Sequence, residues 1–156
     1  MQGNEKVIAR LNQALHDEIS ATVQYMVQAE ICENWGYGRL AGITKSRAIE
    51  EMKHAEALIE RLLFLDSTPQ VDLTLKPTLG KDVPQQFEAG LADESGAIRE
   101  YNEAVALCGE VGDAGTKDLF ERLLHDEERH ADFLDAQLNA IKQMGIGAYL
   151  AQQMSK

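Results

Sequence analysis

Residues 47–65, RAIEEMKHAEALIERLLFL, decide the fold. Ala48, Glu51, Ala55, Leu58, Leu62 and Leu65 recur at steps of three and four, the period of a helix that buries one face. Within the stretch, Glu51-Met52-Lys53-His54 sets an acid and an imidazole three residues apart. At about 100° per residue they stand one turn apart on the same side, the side of the leucines. A single Glu-x-x-His is most often a solvated or hydrogen-bonded pair. Its meaning therefore depends on what the rest of the chain brings to that face.

Working outward, the helical period returns three more times. Residues 4 to 35 read as a first helix with the stripe Leu11, Leu15, Glu18, Thr22, Tyr25, Ala29 and Cys32, closed by the turn residues Asn34-Trp35-Gly36-Tyr37-Gly38. The opening stretch belongs to a second helix, from about Arg39 to Phe64. Residues 66–84 hold all three prolines and lose the period, so they read as a long connection. A third helix, about Gln85 to Val111, carries Phe87, Leu91, Glu94, Ile98, Tyr101, Val105 and Cys108 on its stripe. After Gly112-Asp113-Ala114-Gly115 a fourth, about Thr116 to Met144, carries Phe120, Leu124, Glu127, Ala131, Leu134, Leu138 and Ile141. Gly145 and Gly147 then break the chain before a short apolar tail, Ala148 to Met154, expected to pack at a subunit junction because it is too short to be stable alone.

Loop lengths set the topology. Short turns make helices one and two antiparallel, and likewise three and four. A helix of about 26 residues is roughly 39 Å long. A connection of about 18 residues reaches back along it at roughly 3.3 Å per residue. The expectation is an all-α single domain over residues 1–156: a four-helix bundle with one long crossover and a short C-terminal fifth helix.

Composition narrows the function. The net charge of −11 argues against nucleic acid as a partner. No apolar run approaches the length of a membrane span, and the start, MQGNEKVIAR, lacks an apolar leader core. Two cysteines without a CxxC exclude a disulfide scaffold, a zinc ribbon and a rubredoxin-like module, and the expected compartment is the reducing cytoplasm.

The two halves of the chain repeat at an offset of 76. Glu18 matches Glu94, Tyr25 matches Tyr101, Cys32 matches Cys108, Glu51 matches Glu127 and His54 matches His130. The second Glu-x-x-His is thus Glu127-Glu128-Arg129-His130. Four glutamates and two histidines converge on the bundle interior, and no Lys or Arg shares their stripes. Unpaired buried carboxylates cost several kcal/mol each. Two divalent cations would neutralise the four of them. Carboxylate with imidazole and no sulfur disfavours calcium, magnesium and structural zinc, which leaves iron or manganese. One Glu from each of two helices plus a Glu-x-x-His from each of the other two is the known ligand pattern of ferritin-like di-iron and di-manganese proteins. By symmetry Glu51 and Glu127 bridge, Glu18 and His54 complete one metal, and Glu94 and His130 the other.

With those residues in place, the segments NQALHDEISATVQYMVQAEICENWG (12–36), RAIEEMKHAEALIERLLFLDSTP (47–69) and LLHDEERHADFLDAQLNAIKQMGIGAYLAQQ (123–153) resemble bacterioferritin, over essentially the whole chain. The resemblance implies a cytoplasmic iron store of 24 subunits built from two-fold dimers. Each subunit would hold two Fe and act as a ferroxidase, oxidising Fe(II) with dioxygen or peroxide. It also implies haem b, one per two subunits, on Met52 and its two-fold mate, and a small iron–sulfur ferredoxin as reductant. Met52 lies about 100° round from Glu51 and so faces outward, where a soft thioether needs such a reason. Position 46 is Ser where some members carry His, which leaves an accessory inner-surface iron site without that ligand; Glu50 stays nearby.

Tyr25, two turns beyond Glu18, stands over the metal site as packing residue or electron donor. Tyr101, Cys32 and Cys108 read as core, and His16 and His125 as outward-facing. Two other readings share some of these features. A non-storing di-iron or di-manganese redox enzyme, of rubrerythrin peroxidase or manganese catalase type, would use the same ligands. The missing CxxC weakens the former, and the crossover and tail weaken both. A metal-free helical structural protein would instead gain stability from Glu51→Ala and Glu127→Ala.

Overall fold

The computed structural model describes residues 1–71 and 74–154. Four long helices follow in chain order: α1 (Glu5–Asn34), α2 (Gly38–Phe64), α3 (Val83–Val111) and α4 (Ala114–Met144). A short α5 (Ile146–Ala151) closes the chain, and no strand occurs among the described residues. The fold is the four-helix bundle with one long crossover and a short fifth helix that the spacing predicts.

Helix boundaries follow local chemistry. The Asn4 side chain accepts from Lys6 N and Val7 N and starts α1. The third helix begins earlier than the periodicity suggests, at Val83. Asp82 caps it, and Pro84 sits in the first turn, where a missing N–H costs nothing. Likewise α4 starts at Ala114 because Asp113 caps it. Gly145 at φ +85° ends α4, and α5 resumes immediately, so Gly147 is carried inside the fifth helix rather than breaking the chain.

Asp113 is the most connected cap. It accepts from Thr116 N at 3.0 Å, Thr116 Oγ1 at 2.7 Å and the Arg61 guanidinium at 3.1 Å. Gly115 makes room for that guanidinium, since a Cβ there would meet it at 2.5 Å. Burial alone would raise the Asp113 carboxyl, but the bonds from Thr116 and Arg61 hold it below the usual range. Asp113→Ala should cost about 2 kcal/mol in chemical denaturation at pH 7. A depressed carboxyl stabilises above its unfolded value and loses that contribution as pH falls through the folded value. The difference from wild type should therefore shrink below about pH 4.

Helix α1 packs mainly on α2, and α3 on α4. Tyr25 meets Glu94 while Tyr101 meets Glu18, so α1 and α3 are antiparallel and α2 runs parallel to α3. That arrangement requires the crossover. Its backbone is held along α1, with Gln70 N on Asn12, Thr78 N on Gln24, and Gln28 donating to Leu79 O at 3.1 Å.

The core has two apolar ends. One contains Leu11, Leu15, Leu58, Leu62, Cys108 and Phe120; the other contains Cys32, Leu40, Val83, Phe87, Leu134 and Tyr149. Tyr149 anchors the tail within the chain. Its ring stands edge-on to Phe87 and its hydroxyl donates to Gln137 at 2.6 Å, so α5 docks on the chain's own α3 and α4. Between the two apolar ends lies a polar layer.

Candidate metal centre

That layer consists of the six residues singled out by spacing. Glu18, Glu51, Glu94, Glu127, His54 and His130 are all buried. Each comes from a stripe whose other members are mostly apolar, so packing the leucines of four helices brings the carboxylates together. His54 Nδ1 lies 3.4 Å from Glu18 Oε1, 3.3 Å from Glu127 Oε1 and 4.0 Å from Glu51 Oε1. His130 Nδ1 lies 2.9 Å from Glu51 Oε1, 3.3 Å from Glu127 Oε1 and 3.5 Å from Glu94 Oε1. The two imidazoles are nearly parallel, with ring centres 6.1 Å apart.

Two foursomes result: Glu18, Glu51, His54 and Glu127, and Glu51, Glu94, Glu127 and His130. Within each, one donor atom per residue falls inside a 4.8 Å span, and each foursome could hold one metal ion. Glu51 and Glu127 belong to both.

Unpartnered polar atoms mark the centre. Glu18 Oε2, both Glu51 oxygens, Glu94 Oε2, Glu127 Oε1 and the Nδ1 atoms of both histidines are buried without a hydrogen bond. Buried polar groups are ordinarily satisfied, so this concentration of orphans is a donor set awaiting an acceptor of electron pairs. The electrostatics agree. Burial raises Glu18, Glu51 (to about 8) and Glu94 (to about 7), and the like charges of neighbouring glutamates add to it. Burial alone would lower the imidazoles, but Glu127, Glu18, Glu51 and Glu94 hold His54 at about 11 and His130 at about 12. These directions are those of a buried layer short of positive charge, which bound cations would supply.

Behind each imidazole stands a carboxylate that the spacing argument did not single out. His54 Nε2 meets Asp126 Oδ2 at 2.8 Å, and His130 Nε2 meets Glu50 Oε2 at 2.8 Å. A carboxylate only accepts, so each Nε2 donates outward and each Nδ1 is aimed at the centre. Arg129 Nη2 reaches both carboxylates at 3.1 Å. Burial would raise Glu50 and Asp126, yet the bonds to the histidines and Arg129 keep both below the usual range. Glu50 and Asp126 also obey the offset of 76, each directly preceding its Glu-x-x-His. That was the available signal.

The tyrosines hold the remaining two glutamates. Tyr25 OH donates to Glu94 Oε1 at 2.8 Å and Tyr101 OH to Glu18 Oε1 at 2.5 Å. Tyr101 is therefore more than the core residue its stripe position suggested. Burial, then the adjacent glutamates, push both phenols well above their ordinary value. Gly90, next to the Tyr25 hydroxyl, leaves room for Leu134, whose Cδ1 would lie 3.1 Å from a Cβ there. Other candidates sit away from the centre. Met52 is 45% exposed on α2, His125 is exposed and His16 half-buried beside Asp17, while Cys32 and Cys108 are buried free thiols.

Comparison with known proteins identifies the family. Residues 8–144 match the family model of the ferritin-like domain. The chain is 37% identical over 156 residues to a bacterioferritin of Mycolicibacterium paratuberculosis, covering 100% of this chain and 98% of that one. It is 40% identical over 149 residues to a bacterioferritin of Brucella melitensis, covering 96% and 92%. A Rhodobacter capsulatus bacterioferritin is 39% identical over 145 residues, covering 93% and 90%. With the ferritin-like domain matched over most of its length and identities of 37–40% to full-length relatives, the chain belongs to the bacterioferritin family.

Proposed function

We propose that the protein is an iron-storage ferroxidase. It takes two Fe(II) per subunit as substrate, oxidises them with dioxygen or peroxide, and passes Fe(III) into the cavity of a 24-subunit shell assembled from two-fold dimers in the cytoplasm. The observation that carries this reading is the pair of foursomes sharing Glu51 and Glu127. Two glutamates common to both would bridge two ions, leaving Glu18 and His54 for one and Glu94 and His130 for the other. Bridging carboxylates can shift between one and two metal contacts, which suits ions that change charge during turnover.

Each remaining residue has a task. Asp126 and Glu50 orient His54 and His130 and take up the Nε2 hydrogen. Tyr25 holds Glu94 and stands as an electron donor. Much of the −11 charge per chain would line solvent on both faces of a shell, where carboxylates can nucleate ferric mineral. No helix among the described residues is long and apolar enough to cross a membrane. The test is stopped-flow Fe(II) oxidation: Glu18→Ala and Glu94→Ala should each lose the fast phase, and wild-type rates in both variants would overturn the assignment.

For haem, the exposure of Met52 supports the reading. Met52 presents a thioether on the outer face of α2, with Ile49 also exposed one turn before it. Met52 and its counterpart in a second subunit would hold the haem iron through their thioethers. Haem bound this way supplies one-electron transfer, and a small iron–sulfur ferredoxin would be its reductant. Met52→Leu should keep assembly and Fe(II) oxidation but lose the low-spin haem spectrum of the purified protein. A normal spectrum in that variant would refute the ligand.

A further inference from the structure

Reduction of dioxygen to water takes four electrons, and two Fe(II) supply two. The polar layer contains two more candidates for the remainder. Tyr25 and Tyr101 are related by the same offset of 76 as the ligands, are only 5% and 4% exposed, and donate to the two glutamates that belong to a single foursome each. Tyr101 also lines a cavity of about 450 Å³ together with Glu18, Glu51, Glu94 and Glu127, a space through which a small oxidant would approach the ions. Its ring lies against Phe120, with centres 5.7 Å apart, away from bulk water. Packing alone would be served there by a phenylalanine. Positioning alone would be served by an amide, as Gln24 shows by holding Asp93 at 2.7 Å between the same two helices.

We propose that Tyr101 is a one-electron donor to dioxygen, acting in parallel with Tyr25, so that each subunit carries all four electrons for reduction to water. The proposal rests on the ferroxidase reading. One dioxygen, two Fe(II), two tyrosines and two protons yield two Fe(III), two tyrosyl radicals and two waters. Each tyrosine loses one electron from its ring and its phenolic proton, which leaves along the hydrogen bond to Glu18 or Glu94. The O–O bond breaks and four O–H bonds form. The next two Fe(II) and two protons restore the tyrosines and add two Fe(III), so four Fe(II) are oxidised per dioxygen and no peroxide is released.

The experiment uses the assembled full-length protein, loaded without oxygen with two Fe(II) per subunit, mixed with dioxygen and freeze-quenched for electron paramagnetic resonance. A parallel sample is assayed for hydrogen peroxide. Wild type should show a tyrosyl signal that narrows when the tyrosines are ring-deuterated. Tyr101→Phe leaves three electrons per subunit, one short of water, so reduction should stop at the two-electron stage: the signal should fall by at least half and peroxide should be released. The variant with both tyrosines replaced by phenylalanine should lose the signal and release one peroxide for every two Fe(II). A Tyr101→Phe protein with the wild-type radical yield and no peroxide, however slow, would overturn the proposal and leave Tyr101 only holding Glu18. Failure of the wild type to oxidise Fe(II) at all would instead overturn the ferroxidase reading beneath it.

Discussion

Replacing Glu51 and Glu127 together with alanine should reduce fast Fe(II) oxidation by at least about 100-fold, the largest functional loss expected of any pair in the chain. Loss of even an outer partner of a metal ligand typically costs about 10- to 100-fold in affinity or activity. These two belong to both foursomes, so their removal takes two donors from each metal position at once. Thermal stability provides an independent readout. A ligand that binds only the folded state adds about 2.7 kcal/mol at a hundred times its dissociation constant. Anaerobic Fe(II) should therefore raise the melting temperature of wild type and leave that of the double variant unmoved. Without iron the variant should fold, because it no longer confines two buried acids whose burial already pushes Glu51 up to about 8. A double variant that still gains stability from Fe(II) and oxidises it at the wild-type rate would show that the ions bind elsewhere.

Phe120→Ala should cause the largest loss of stability from a single substitution, about 3–5 kcal/mol. Phe120 is fully buried in the cluster formed by Leu11, Leu15, Leu58 and Leu62, and its ring backs Tyr101. Truncation would leave a void between α3 and α4, next to a cavity that Phe120 already lines. Against a total stability of about 5–15 kcal/mol the loss is severe. At about 2–4 °C per kcal/mol, the melting temperature of the metal-free protein should fall by roughly 10 °C. Phe133→Ala is the comparison. Phe133 is only half-buried beneath the Arg47 guanidinium, at 5.5 Å, so its removal should cost clearly less. Equal losses at the two positions, or a loss below about 1 kcal/mol at Phe120, would contradict this account of the core.

Helical periodicity is local, and for that reason much of the protein is legible in one dimension. Whether Glu51 and His54 share a face depends only on residues within a turn of each other, and the repeat at 76 carries the same pattern to Glu127 and His130. The long crossover follows from chain length alone. The starts of α3 and α4 are misjudged by two residues each because a cap and a first-turn proline extend a helix without belonging to its apolar stripe. Met52's outward placement, again a question of angle around one helix, agrees with its exposure.

What the sequence by itself determined is therefore which side chains face inward and at what height. Only the tertiary structure decided which of them touch. Asp126 stands behind His54 although 72 residues separate them, Glu50 stands behind His130, and the Tyr101 hydroxyl finds Glu18 across 83 residues. Tyr149 turns the tail back onto Phe87 in the same way. Each of these contacts depends on the axial register and rotation of one helix against another, set by how the leucine and phenylalanine layers interlock, and on side-chain torsions chosen after the helices have packed. Spacing along one chain holds no term for either.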